Sequence, residues 1–152
     1  MDHASTTPSP TAADIVRGTM RLLLDLDLVA LPEFTLGSGR RLDVMALGRD
    51  GQLVAIEVKS CRADFLADRK WRDYLEHADR FYFAVGPDFP RDLLPPDEGL
   101  ILADRYAASV VRPAVARPVA PGRRRSLLLR FARTSALRLH GVTDPDAWGE
   151  PA

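Results

Sequence analysis

The sequence predicts an α/β domain, and three observations predict it. Apolar residues recur at helical spacing behind Thr11. Three strand-like runs follow, joined by two short turns that each end in glycine. A helical stretch then leads into the buried-strand run RFYFAV. At 152 residues, with 46% hydrophobic and 28% charged residues, the chain is long enough to bury a core in one domain. That domain is expected over residues 11–143, between a Ser/Thr/Pro-rich disordered tail, 1–10, and a flexible tail, 144–152.

The most apolar run, LLLDLDLVAL, is interrupted by Asp25 and Asp27. It falls short of the roughly 20 residues a spanning helix needs. The first ten residues lack a basic segment followed by an apolar one, so they do not read as a secretory signal, and a cytoplasmic protein is expected. The single cysteine, Cys61, can form no internal disulfide and no zinc cluster, which agrees with a reducing compartment.

In the first helix, Thr11 and Asp14 have capping-box spacing, and Ile15, Thr19, Leu22, Leu23 and Leu26 recur at helical spacing as the packing stripe. Next come PEFTL, RRLDVMAL and QLVAIEVK, separated by Gly37-Ser38-Gly39 and Arg49-Asp50-Gly51. A three-residue hairpin loop commonly ends in a left-handed glycine. Written that way, Leu36 faces Arg40 and Gly48 faces Gln52. Counting outward, Glu33 opposes Asp43 and Asp43 opposes Glu57, so three carboxylates line up across three strands. Phe34, Leu36, Leu42, Val44, Ala46, Val54, Ile56 and Val58 are then expected on one apolar face.

Like charges facing each other across a sheet repel, and something must compensate. A hard divalent cation, Mg2+ or Mn2+, held by two carboxylates and water is one answer, since no Cys/His set for zinc exists. Pairing with Arg40, Arg41 or Lys59 at a solvated sheet edge is the other. Lys59 stands two positions after Glu57, so strand alternation places both on one side.

Beyond Ser60, read as a helix N-cap, RADFLADRKWRDYLEHADR is expected to form one helix with Ala67, Trp71, Tyr74 or Leu75, and Ala78 inward. Asp68 falls on another face, Lys70 and Tyr74 form an i, i+4 pair beside the apolar stripe, and part of the helix can flank the carboxylate row. RFYFAV, GLILAD and YAASVVR read as strands, and Pro113, Pro118 and Pro121 mark an extended connector. A last helix from Arg123 should turn Leu127, Leu128, Phe131, Leu137 and Leu139 inward.

The net charge is zero, yet nine arginines and no Asp or Glu lie between Arg105 and Thr143. This basic third fits either a polyanion partner or a solvated helix face. Of 21 basic residues only Lys59 and Lys70 are lysine. A compact ammonium at these two places does what a guanidinium cannot.

Asp43, then Glu57-Val58-Lys59, then a helix and a strand resembles the core of the PD-(D/E)XK nuclease superfamily. The long stretch RRLDVMALGRDGQLVAIEVKSCRADFLADRKWRDYLEHADRFYFAV is similar to the MmcB-like DNA repair family of bacteria, the likeness running from about Val16 to His140. The resemblance implies a restriction-endonuclease-like core, with a central mixed sheet flanked by helices. It also implies DNA repair and metal-dependent phosphodiester cleavage, with Asp43, Glu57 and Lys59 as the matching residues. Leu42 stands where the superfamily pattern has Pro. The further acid that many members carry on the first helix has Asp14 or Glu33 as candidates.

The activity expected from these readings is hydrolysis of damaged or branched DNA. Asp43, Glu57 and the Val58 carbonyl would hold Mg2+ or Mn2+. Lys59 would orient the attacking water and stabilise developing negative charge, with Glu33 in support. Lys70, Tyr74, Arg123, Arg124 and Arg125 would grip the DNA backbone. The rival is a module on the same fold that binds DNA damage or a repair complex without cutting. A second copy of the chain and a repair protein both stay open as partners.

Overall fold

The computed structural model describes residues 7–147. Helix α1 (Ala12–Asp25) begins at Thr11 with the expected capping box, in which Thr11 Oγ1 accepts the Asp14 amide and Asp14 accepts that of Thr11. Asp14 is thereby a cap and no part of an acidic site. Just before it, Ser9 donates to Asp88 at 2.9 Å and Pro10 packs over Gly86, so this stretch of the expected disordered tail is docked. Residues 1–6 and 148–152 lie outside the described residues.

Strands β1 (Val29–Thr35), β2 (Arg41–Leu47) and β3 (Leu53–Lys59) form two hairpins. Both turns close as the register required. The Leu36 amide donates to the Arg40 carbonyl and that of Gly48 to Gln52, with Gly39 and Gly51 at φ 88° and 85°. A side chain is strained at such angles, and so glycine at these two positions sets the loop length and with it the pairing of every residue beyond. Strands β4 (Arg80–Val85) and β5 (Gly99–Ala103) run parallel to β3, and β6 (Ala108–Arg112) closes the edge antiparallel. The sheet has six strands in sequence order and is mixed. Its central strand β3 is buried along its whole length.

Helix α1 covers one face, where Ile15 and Leu23 meet Val44, Ala46, Val54, Ile56 and Val58. The other face is covered by the segment after β3 and by α3 (Pro121–Thr143), around Met45, Leu53, Ala55, Trp71, Phe81, Phe83, Leu127 and Phe131. Phe34, Leu36 and Leu42 belong to this second cluster and not to the apolar face expected for them. Glu33, at φ 50°, interrupts the pleat of β1, which re-aims Phe34 and Leu36 beyond it, and Leu42, paired with Phe34, lies on the same face.

The single helix expected after Ser60 is broken. Helix α2 covers Arg62–Ala67, Asp68 is extended (ψ 114°), and a 3-10 helix runs from Trp71 to His77. Trp71, Tyr74 and Ala78 are buried as their spacing predicted, whereas Ala67 is exposed. Cys61, not Ser60, is the N-cap of α2, and the Ser60 hydroxyl donates to Asp64 instead. In α3, Leu127 and Phe131 reach the core, but Leu137 and Leu139 are exposed. Among the described residues no helix is long and apolar enough to cross a membrane.

One carboxylate ties these layers together. Asp79 accepts the amides of Leu53 and Val119 and both terminal nitrogens of Arg124, so the start of β3, the connector and the first turn of α3 meet on it. These partners hold its carboxyl down at about 2.

Candidate active site

The β2–β3 ladder runs from Leu47 opposite Leu53 to Val44 opposite Ile56, and there it ends. The next step would place Asp43 opposite Glu57. At that point side chains replace the ladder: the Asp43 amide donates to Glu57 Oε1 at 3.1 Å, and the Val58 amide donates to Asp43 Oδ2 at 2.7 Å. Each carboxylate takes an N–H from the opposite strand. Both therefore sit in the opening between the strands and line one depression.

Glu57 is 5% exposed and Lys59 7%. Burial first, and then the neighbouring Asp43 charge, push the Glu57 carboxyl up to about 8. Burial also raises Asp43, against the opposing pull of the Val58 amide and Lys59. Lys59 Nζ lies 3.8 Å from Glu57 Oε2 and 2.6 Å from Asp68 Oδ2. The result is an open depression of about 540 Å³ at the carboxyl end of β3, where open α/β sheets place their ligands.

Asp68 is the residue of this cluster that its place in the sequence did not reveal. On a continuous helix it points away from the strands, but the break after Ala67 swings it onto Lys59. The Lys70 amide fixes its other oxygen at 2.7 Å. Burial would raise its carboxyl, yet the hydrogen bonds from Lys59 and the Lys70 amide hold it below the usual range. No Gly or Pro marks the break. The sole local signal is the capacity of Asp to cap an amide two residues on.

The remaining candidates separate. Lys70 lines the depression and is exposed. Glu33 is exposed on the kinked β1 and does not line it; Arg138 holds its carbonyl. Tyr74 is buried, with its hydroxyl donating to the Arg41 carbonyl at 3.0 Å, so it supports β2 and does not grip a ligand. Burial and the acids Glu57, Asp68 and Asp43 push that hydroxyl up to about 12. Arg124 is consumed by Asp79 and the Gly51 carbonyl, and Arg123 pairs with Glu76 at 3.2 Å. Arg125 is exposed and does not line the depression.

For a hard divalent cation the donor chemistry fits. Only oxygen ligands converge, and Asp43 Oδ1 accepts no hydrogen bond among the described residues. Among those residues no group of three acidic, histidine or cysteine side chains could hold an ion. Asp43, Glu57, the Val58 carbonyl and water would be the set, the sparse protein ligation that Mg2+ tolerates.

A profile of the MmcB-like family, described as DNA repair protein MmcB-like, matches residues 2–146. The chain belongs to the MmcB-like family. A protein of unknown function from Silicibacter pomeroyi is 44% identical, with a TM-score of 0.87, over 91% of this chain and 94% of that one. A repair endonuclease from Pyrococcus abyssi aligns at 17% identity and a TM-score of 0.43, over 67% of this chain and 50% of that one. None of the curated proteins matches the chain. In this MmcB-like chain the order of helix, hairpins, broken helix and parallel strand has the architecture that the sequence resemblance implied.

Proposed function

We propose that this MmcB-like protein is a Mg2+-dependent DNA endonuclease that hydrolyses phosphodiester bonds in damaged or branched DNA. The observation that carries the reading is the meeting of Asp43 and Glu57 in the β2–β3 opening with the Lys59 ammonium beside them. Two acids that repel across a sheet are retained at a site where burial already disfavours their charge, and a cation resolves both costs.

Asp43, Glu57 and the Val58 carbonyl would hold the ion, which when bound supplies Lewis acidity and lowers the pKa of water. Lys59 orients the attacking water and stabilises negative charge developing on the phosphoryl oxygens. Asp68 positions Lys59, and with its amide-fixed carboxylate it keeps the ammonium from folding fully onto Glu57. Lys70 stands at the rim for a phosphate of the bound strand.

The test is nicking of plasmid and branched DNA by wild type and Glu57→Gln across a Mg2+ titration. The variant is expected to lose activity by at least about 100-fold, since it removes one of only two carboxylate ligands. Equal cleavage by the two proteins removes the catalytic assignment. Salt-sensitive DNA binding by both, with no cleavage by either, selects the binding module instead.

A further inference from the structure

The arginines of the acid-free segment are not all used alike. Arg112, Arg117, Arg124 and Arg138 are spent inside the fold, on the Glu98 and Pro95 carbonyls, the Glu98 carboxylate, Asp79, and the Pro32 and Glu33 carbonyls. Arg130 and Arg133 are exposed and make no hydrogen bond or ion pair among the described residues. Together with Arg123 they line a groove of about 680 Å³ between α3, the Gly37-Ser38 turn and His77. No acid of the described residues lines it. The Arg130 guanidinium reaches back to the Gly37 turn, where a Cβ would meet it in ordinary contact at 3.5 Å.

Arg123, Arg130 and Arg133 follow one side of α3 at helical spacing. Arg130 and Arg133 are about one turn apart, and Arg123, which Glu76 holds, lies two turns before them. Ser38 and His77 are shared with a second depression that contains Arg40 and Arg72. The acids there are already neutralised, Asp73 by Arg40 and Glu76 by Arg123. Arg72, whose guanidinium lies 4.5 Å above the Trp71 ring, is two residues from Lys70 at the rim of the site.

We propose that the α3 groove is a track for the sugar–phosphate backbone of duplex DNA, feeding one strand past Arg72 and Lys70 to the Asp43–Glu57 site. This rests on the nuclease reading for its destination but on the unspent arginines for its existence. Planar guanidiniums held on a rigid helix match phosphate oxygens in pairs and read no sequence.

The experiment is fluorescence anisotropy of a labelled duplex against salt for wild type, Arg130→Ala/Arg133→Ala and Arg130→Lys/Arg133→Lys, with plasmid nicking measured in parallel. Each lost phosphate contact removes about 0.9 from the salt slope, so the alanine pair is expected to lower it by about 2 and weaken binding at least about tenfold. The lysine pair should restore most of the slope. An unchanged slope in the alanine pair overturns the track, even if Glu57-dependent nicking is intact. A reduced slope in a protein whose wild type and Glu57→Gln forms nick equally keeps the track and sinks the catalytic reading. Unchanged DNA binding with loss of polyglutamate binding overturns it in favour of an acidic polypeptide.

Discussion

Asp79 and Glu57 are both buried carboxylates that touch β3, one at its start and one near its end, and they have opposite characters. Asp79 accepts two amides and a bidentate Arg124, and its carboxyl is held at about 2. Glu57 accepts one amide, faces Asp43, and has its nearest ammonium at 3.8 Å with that ammonium closer to Asp68; its carboxyl is pushed to about 8. Burial is similar, at 9% and 5% exposed. What differs is that desolvation outweighs every partner at Glu57, whereas at Asp79 the Arg124 counter-charge outweighs desolvation. A carboxylate whose needs are met within the fold is architecture; one left in deficit beside a like charge is where a ligand is expected.

The contrast can be broken first at Asp79. Asp79→Ala strands Arg124 and two amides and is expected to cost about 3 to 5 kcal/mol, measured by urea denaturation. A loss no larger than that of an exposed substitution would mean the two carboxylates are not different in kind. Asp68→Asn acts at the other end: it loosens Lys59 and should slow single-turnover nicking about 10- to 100-fold. If the rate is unchanged, Asp68 does not position Lys59.

Acid provides the next test. Asp79 has a folded pKa of about 2 against an ordinary 3.8. It therefore adds about 2 kcal/mol of stability that is present above about pH 4 and lost as pH falls through about 2. Thermal melts of Asp79→Asn should lose this acid limb.

The pH dependence of Glu57 has the reverse sign. Glu57 is raised from 4.5 to about 8, so in metal-free buffer the folded state keeps its proton longer than the unfolded chain, and stability falls as pH rises across that window. Glu57→Gln should remove this decline, so that in urea denaturation the variant gains on wild type from about pH 4 to about pH 9, with no gain near pH 4. A destabilised variant at high pH would show that Glu57 is satisfied as Asp79 is.

Much of the sheet and half of the site were legible because the deciding interactions are local. A left-handed glycine closes a three-residue loop, the loop counts out the register, and alternation carries Glu57 and Lys59 to the side of Asp43. Asp68 was not legible, since ADRKW contains good helix formers and nothing short-range opposes continuing the helix. Nor could the arginines be sorted: Arg123, Arg124 and Arg125 are adjacent and alike in sequence, but Arg124 alone meets Asp79, 45 positions away.

By itself, then, the sequence determined the capped first helix, the two hairpins, and the placing of Asp43, Glu57 and Lys59 at one end of them. Only the tertiary structure decided that β2 and β3 part at this end, that Asp68 leaves its helix for Lys59, and which arginines stay unspent. The physical reason is that turn geometry and strand parity act over a few residues. A buried ion pair instead requires two distant elements to dock before either partner gains from it.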